Sequence, residues 1–256
     1  IKKDKPVNVT SPVFAKTYVQ ESDRKRSTKE NLLTTITVLQ EFRPGFDFKD
    51  ITYTFLRDFE VHLKEKGNSV NTIAKHLRQL RTLVSEAINQ GYIPSDAYPF
   101  RKFKIKQEKG RKEFLTLNEL RRLENLLVSD KRLRHVLDAF LFCCYTGLRY
   151  SDFCQLTPEN IIRVNGKRWF YFKSVKTDVE VRLPLHLLFE GKALAVLERY
   201  DIVTDFAKIG LNSEANKYLA QLATLARIRK HITYHTARHG EFSFLLKFKH
   251  LQFFAA

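Results

Sequence analysis

Residues 131–146 constrain the fold more than any other stretch. Leu133, Val136, Leu137, Phe140, Leu141 and Cys144 recur at helical spacing, and the segment is apolar nearly all round. A helix of that kind is buried, so the turn that ends it emerges from a core and not from an outer face. That turn reads Thr146-Gly147-Leu148-Arg149-Tyr150-Ser151-Asp152, with Gly147 as the helix stop. A guanidinium in such a place needs a fixed anionic partner. Asp152, three residues on, is expected to hold Arg149 and leave one edge of its fork for a phosphate. The plainer reading of the same two residues is an ordinary surface ion pair.

Two further pieces fall later in the chain. Arg168–Lys173 and Val179–Leu185 read as strands rich in Val and aromatic residues, joined by Ser174-Val175-Lys176-Thr177-Asp178. A flexible ammonium on that hairpin, Lys176 with Lys173 as the alternative, would reach a leaving 5′ oxygen and donate a proton; most turn lysines are simply solvated. His235-Thr236-Ala237-Arg238 opens a predicted helix, and the i, i+3 spacing puts His235 and Arg238 on one face. His231, His235 and His239 are spaced by four, but Thr236 stands where a zinc-protease motif needs Glu. No metal is expected. Two arginines, a lysine and a histidine thus converge on one anion.

The charge balance agrees with an anionic partner. The chain of 256 residues carries 45 basic and 28 acidic side chains, a net charge of +17. A field of that size favours nucleic acid or an anionic membrane surface. Residues 1–100 contribute +4, residues 101–112 contribute +6 and residues 113–256 contribute +7, so twelve residues supply about a third of the excess. No apolar run approaches the ~20 residues of a membrane span, and the N-terminus lacks the apolar core of a signal peptide. Cys143, Cys144 and Cys154 have neither disulfide-framework nor zinc-site spacing and read as buried thiols of a reducing cytosol.

Four helices are expected before residue 98: one opening at Ser11-Pro12, one over Ser27–Glu41, one over Thr54–Lys66, and a long one capped by Ser69 and running to Gln90 before Gly91. They make a small all-α domain, residues 1–98. Residues 99–113 read as a linker in which Phe100, Phe103 and Ile105 pin to domain surfaces while Arg101, Lys102, Lys104 and Lys106 turn toward phosphates. On the long helix, Lys75, Arg78 and Arg81 are candidate DNA contacts, with a solvated face as the equal alternative. Thr116-Leu117-Asn118-Glu119 is a capping box that starts a second domain, residues 114–256. Helices are expected there to about Val128, over Lys131–Thr146, over Leu187–Tyr200 and over Ser213–Ala226. The fold class is mainly α with a small antiparallel β hairpin or sheet.

Thr146-Gly147-Leu148-Arg149 with Ser151-Asp152, the hairpin Lys176-Thr177, and His235-Thr236-Ala237-Arg238-His239 come in an order and spacing that resembles the tyrosine recombinase (phage integrase) family, along nearly the whole chain. The tone resembles integrases of bacterial mobile elements. The resemblance implies a helical core-binding (SAM-like) domain and a mixed catalytic domain in a C-shaped clamp on duplex DNA. It implies that Arg149 and Arg238 clamp the scissile phosphate, that Lys176 protonates the leaving oxygen, and that His235 assists proton transfer, with Asp152 and His239 in support. A C-terminal tyrosine would form a 3′-phosphotyrosine link that conserves the energy of the broken bond, so no cofactor is expected. Integration, excision or transposition of a mobile element, by dimers to tetramers on DNA at a cytoplasmic, nucleoid-associated location, follows from the same resemblance.

The C-terminus departs from the family pattern. No tyrosine follows Tyr234, and eighteen residues follow Arg238. His250 is the candidate for the family's further histidine, with Phe248 as the alternative, and Phe254 stands as a possible nucleophile position, as in a Tyr→Phe form, in which case the chain would itself be inactive. Methionine is absent, which leads us to expect residues omitted from the sequence. Two other functions compete: a non-catalytic DNA-binding protein on the same scaffold, and a type IB topoisomerase-like relaxing enzyme.

Overall fold

A computed structural model describes residues 11–110 and 113–239. The chain divides into two compact units, one up to Gly110 and one from Arg111 onward.

The first unit is built from α1 (Ser11–Glu21), α2 (Arg26–Phe42), α3 (Tyr53–Glu65) and α4 (Val70–Asn89). Local chemistry sets the ends. Thr52 caps α3 by accepting from the Phe55 N–H, and Ser69 caps α4 by accepting from the Thr72 N–H. Gly91 takes the left-handed φ of 74° that ends α4. The apolar stripe of α3, Phe55, Phe59 and Leu63, is buried against Leu77, Leu80 and Val84 of α4. Phe100 and Phe103 are buried in this same core and meet edge to face at 6.0 Å. The basic segment therefore begins as part of the first unit's interior, while Arg101, Lys102, Lys104 and Lys106 stay exposed.

One buried polar group sits inside this unit. His76 of α4 is 8% exposed, and its Nδ1 lies 2.8 Å from the Thr35 hydroxyl on α2. That hydroxyl donates to the Gln79 side-chain oxygen, so Nδ1–H must be the donor to it. Burial, with the Lys75 charge adding to it, holds the imidazole below its ordinary pKa of 6.5. The unfolded chain then takes up a proton before the folded chain does, so stability present above pH ~6.5 falls as the pH drops below it. The urea midpoint of residues 11–110 should fall between pH 7 and pH 5.5, and His76→Gln should flatten that dependence.

The second unit wraps around α6 (Lys131–Thr146). Asp130 caps it by accepting from the Leu133 N–H at 2.7 Å, and every residue from Val136 to Thr146 is buried. Gly147, at φ 70°, closes it by donating its N–H to the Cys143 carbonyl. Around this axis lie α5 (Leu117–Glu124), α7 (Tyr150–Phe153), α8 (Lys192–Leu197), α9 (Val203–Ala207), α10 (Asn212–Leu225) and α11 (Tyr234–His239). Phe142 meets Phe153, Phe170 and Phe206 at ring separations of 5.4–6.0 Å, which ties the axis to α7, to the sheet and to α9.

The sheet is three-stranded and antiparallel in the order β1 (Ile161–Val164), β2 (Lys167–Lys173), β3 (Glu180–Pro184). Phe170 points into the core and is fully buried.

Three expectations about local structure need correction. The first strand was not expected, although Asn165-Gly166 forms a two-residue turn with φ of 50° and 73°, the sequence signal of a tight hairpin. The helix expected to Val128 stops at Glu124, because Leu127, which would extend its apolar stripe, is 96% exposed and has no core to enter. The helix expected over Leu187–Tyr200 begins only at Lys192. Phe189, Glu190 and Gly191 all take positive φ, and the Phe189 ring turns onto Tyr145 at 5.1 Å. The short α9 is likewise an addition.

Candidate active site

Arg149 is the residue before α7, in extended backbone at φ −74°, ψ 151°. The buried helix that ends at Gly147 delivers it, with Leu148 sunk in the core at 3% exposure. Its guanidinium lies 3.6 Å from the Asp152 carboxylate, which is 4% exposed, and donates to the Ser174 hydroxyl at 3.0 Å. Ser174 in turn donates to Asp152 Oδ2 at 3.1 Å, and the Val175 N–H donates to Asp152 Oδ1 at 3.0 Å. Asp152 therefore joins the end of the central helix to the β2–β3 hairpin.

Lys176 follows Val175 directly and is exposed on the hairpin tip. The loop is closed by the Ser174 N–H donating to the Val179 carbonyl and the Asp178 N–H to the Ser174 carbonyl, with Asp178 left-handed at φ 60°. Lys173, the alternative lysine, pairs in register with Glu180 and lies 2.8 Å from Asp178. That bond to Asp178 raises its pKa, which makes it the poorer proton donor.

Helix α11 supplies His235 and Arg238, one turn apart. Its position is fixed by Tyr234, buried to 2%, whose hydroxyl donates to the Val136 carbonyl and whose ring meets Phe140 edge to face. Thr236 and Ala237 are buried, His235 is exposed and Arg238 is half-buried. The Arg238 guanidinium is held below its ordinary pKa, first by burial and then by repulsion from Arg149, while Asp152 pulls the other way. Arg149 and Asp152 thus both act on Arg238, the one repelling and the other attracting it.

His231 precedes α11, so the four-residue histidine stripe is not one helix face. Among the described residues no group of three or more His, Cys, Asp or Glu side chains forms a metal cluster. The His239 side chain, His250 and Phe254 lie outside the described residues. Ser174 was read from the sequence only as part of a loop, and no motif marks its place between Arg149 and Asp152.

Two tyrosines stand near the arginines. Besides Tyr234, Tyr150 donates its hydroxyl to the Gly210 carbonyl at 2.5 Å. Burial raises the pKa of both above the ordinary phenol range. Both hydroxyls are engaged with backbone carbonyls, Tyr234 with Val136 and Tyr150 with Gly210.

In the first unit, Lys75, Arg78 and Arg81 are exposed on one side of α4. Lys75 donates to the Asn31 side chain at 2.6 Å, and Arg78 reaches Gln107 of the basic segment.

Removing the Asp152 carboxylate strips partners from a guanidinium, a buried hydroxyl and a backbone N–H at once. Asp152→Ala is expected to lower the stability of the second unit by about 3 kcal/mol, read as the urea unfolding midpoint. Asp152→Asn, which keeps an acceptor, should cost less.

Both units match known families of sequence. Residues 12–105 match the phage integrase SAM-like domain, and residues 113–247 match the phage integrase family. The second match alone spans more than half of the chain. The chain belongs to the phage integrase family, and it is a tyrosine recombinase. Solved structures agree in fold at low identity. A lambda integrase tetramer bound to a Holliday junction superposes with a TM-score of 0.73 at 18% identity, over 91% of this chain and 69% of that one. A lambda integrase dimer bound to a COC′ core site gives 0.71 at 18%, over 90% and 68%. The Tn1549 transposon integrase in complex with circular intermediate DNA gives 0.70 at 18%, over 94% and 87%. No curated protein sequence matches the chain. No helix among the described residues is long and apolar enough to cross a membrane.

Proposed function

We propose that this recombinase cleaves and rejoins duplex DNA at a specific site through a 3′-phosphotyrosine intermediate, in the integration or excision of a mobile element. The observation that carries the reading is the Arg149–Arg238 pair. Arg149 is held by Asp152 and Ser174, and Arg238, half-buried on α11, lies close enough to Arg149 and Asp152 for their charges to shift its pKa. A phosphodiester supplies the missing negative charge, and charge accumulating on its oxygens in the pentacovalent state is met by cations already in position.

Lys176 is assigned to protonate the leaving 5′ oxygen and His235 to assist proton transfer at the phosphate. The exposed cations of α4 and of residues 101–106 are assigned to the DNA backbone, where they position the protein without reading bases. The resemblance to integrases solved as DNA-bound dimers and tetramers supports assembly of copies on DNA. It also supports action on the nucleoid in the cytoplasm.

A duplex nicked near the cleavage site traps the covalent intermediate, because the short product strand diffuses away. With Phe254→Tyr, which restores a tyrosine at the candidate nucleophile position, denaturing gels should show a protein–DNA adduct, and peptide mapping should place it at that residue. An adduct on Tyr150 or Tyr234 would contradict the assignment of the nucleophile to position 254. Tight binding with no adduct would favour a DNA-binding protein that has kept the scaffold, and relaxation of supercoils without a preferred site would favour a topoisomerase-like enzyme.

A further inference from the structure

We infer that Ser174 is a positioning residue of the phosphate site: its hydroxyl fixes Arg149 and docks the Lys176 hairpin before any DNA arrives. The inference rests on the reading of Arg149 and Arg238 as a phosphate clamp. Its basis is a closed chain of contacts. The Ser174 oxygen accepts from Arg149 Nη1 at 3.0 Å and donates its one proton to Asp152 Oδ2 at 3.1 Å. The next residue, Val175, donates its N–H to the other oxygen of the same carboxylate at 3.0 Å. Ser174 is 2% exposed and Asp152 is 4% exposed, so water does not compete for these bonds.

The hydroxyl is suited to this position because it both accepts and donates. Arg149 and Asp152 alone are 3.6 Å apart, a loose contact. Ser174 fills the gap and turns it into two directional bonds, which fixes the rotation of the guanidinium plane and hence the edge it offers to a phosphate. The same residue directly follows β2, and its N–H and carbonyl close the loop with Val179 and Asp178. Arg149 orientation and loop placement therefore depend on one side chain, and Lys176 lies two residues from it. Alanine would remove the bridge and leave Arg149 free to rotate about its long stem.

The test uses the whole protein without DNA and has two readouts. The first is exchange of the Val175 amide with solvent deuterium. The second is the affinity for inorganic phosphate, followed through the Arg149 Nε–H resonance assigned with Arg149→Lys. Ser174→Ala should speed Val175 exchange and weaken phosphate binding about tenfold, and Ser174→Thr should restore both. A Ser174→Ala protein with parental exchange and parental phosphate affinity overturns the inference. If alanine prevents folding, Ser174→Cys decides, since a thiol bridges poorly: parental phosphate affinity in that variant also overturns it. Should the parent bind no phosphate at the pair, the clamp reading itself fails, and the role of Ser174 falls with it.

Discussion

In a Phe254→Tyr background, Arg238→Ala is expected to slow covalent adduct formation on a nicked duplex by about 10³-fold and to leave the fold intact. Arg238 lies on α11, which is held by the buried Tyr234, Thr236 and Ala237. Its own side chain is half-buried and is repelled by Arg149. In the free protein the charge is a burden, and its removal should leave the melting temperature unchanged or raise it. On the proposed reading, the same charge faces a phosphorane in the transition state, and its removal forfeits that attraction. Loss of activity with no loss of stability separates this role from a structural one. Arg238→Lys should recover little, because an ammonium lacks the planar fork that grips two oxygens. The paired measurement is single-turnover adduct formation and a thermal melt of the same preparation.

Duplex affinity should fall by about 10³–10⁵-fold between 50 and 200 mM salt. The net charge of +17 and the exposed cations of α4 and residues 101–106 are the reason. Each phosphate contact releases condensed counterions, and that gain vanishes as bulk salt rises. Arg81→Ala or Lys104→Ala should each weaken binding about equally on all sequences and reduce the slope of log affinity against log salt by roughly one. Titrations at four salt concentrations give the slope. A flat plot would remove the phosphate contacts assigned here.

The chain revealed in sequence whatever is decided locally. The caps at Ser69 and Thr116, the stop at Gly147 and the helix carrying His235 and Arg238 each depend on residues within one or two turns. The long buried helix was legible because its apolar residues leave no polar face. Phe189 and Glu190 were misread for the opposite reason: neither is a glycine, yet tertiary packing on Tyr145 forces both into positive φ. The strand at Ile161–Val164, absent from the expected elements, does carry a local signal, the two-residue Asn165-Gly166 turn that follows it. Ser174 was illegible in principle. Its partners Arg149 and Asp152 are 25 and 22 residues away, and only the docking of the β2–β3 hairpin beside α7 reveals that a loop serine faces the end of a helix.

The central claim is that Arg149 and Arg238 hold one phosphate together. A double-mutant cycle on adduct formation in the Phe254→Tyr background tests it most directly, with Arg149→Ala, Arg238→Ala and the two combined. Groups that act on the same charge are strongly non-additive. The combined variant should be little slower than the slower single variant. Losses that simply multiply would show two independent contacts and would contradict the shared site.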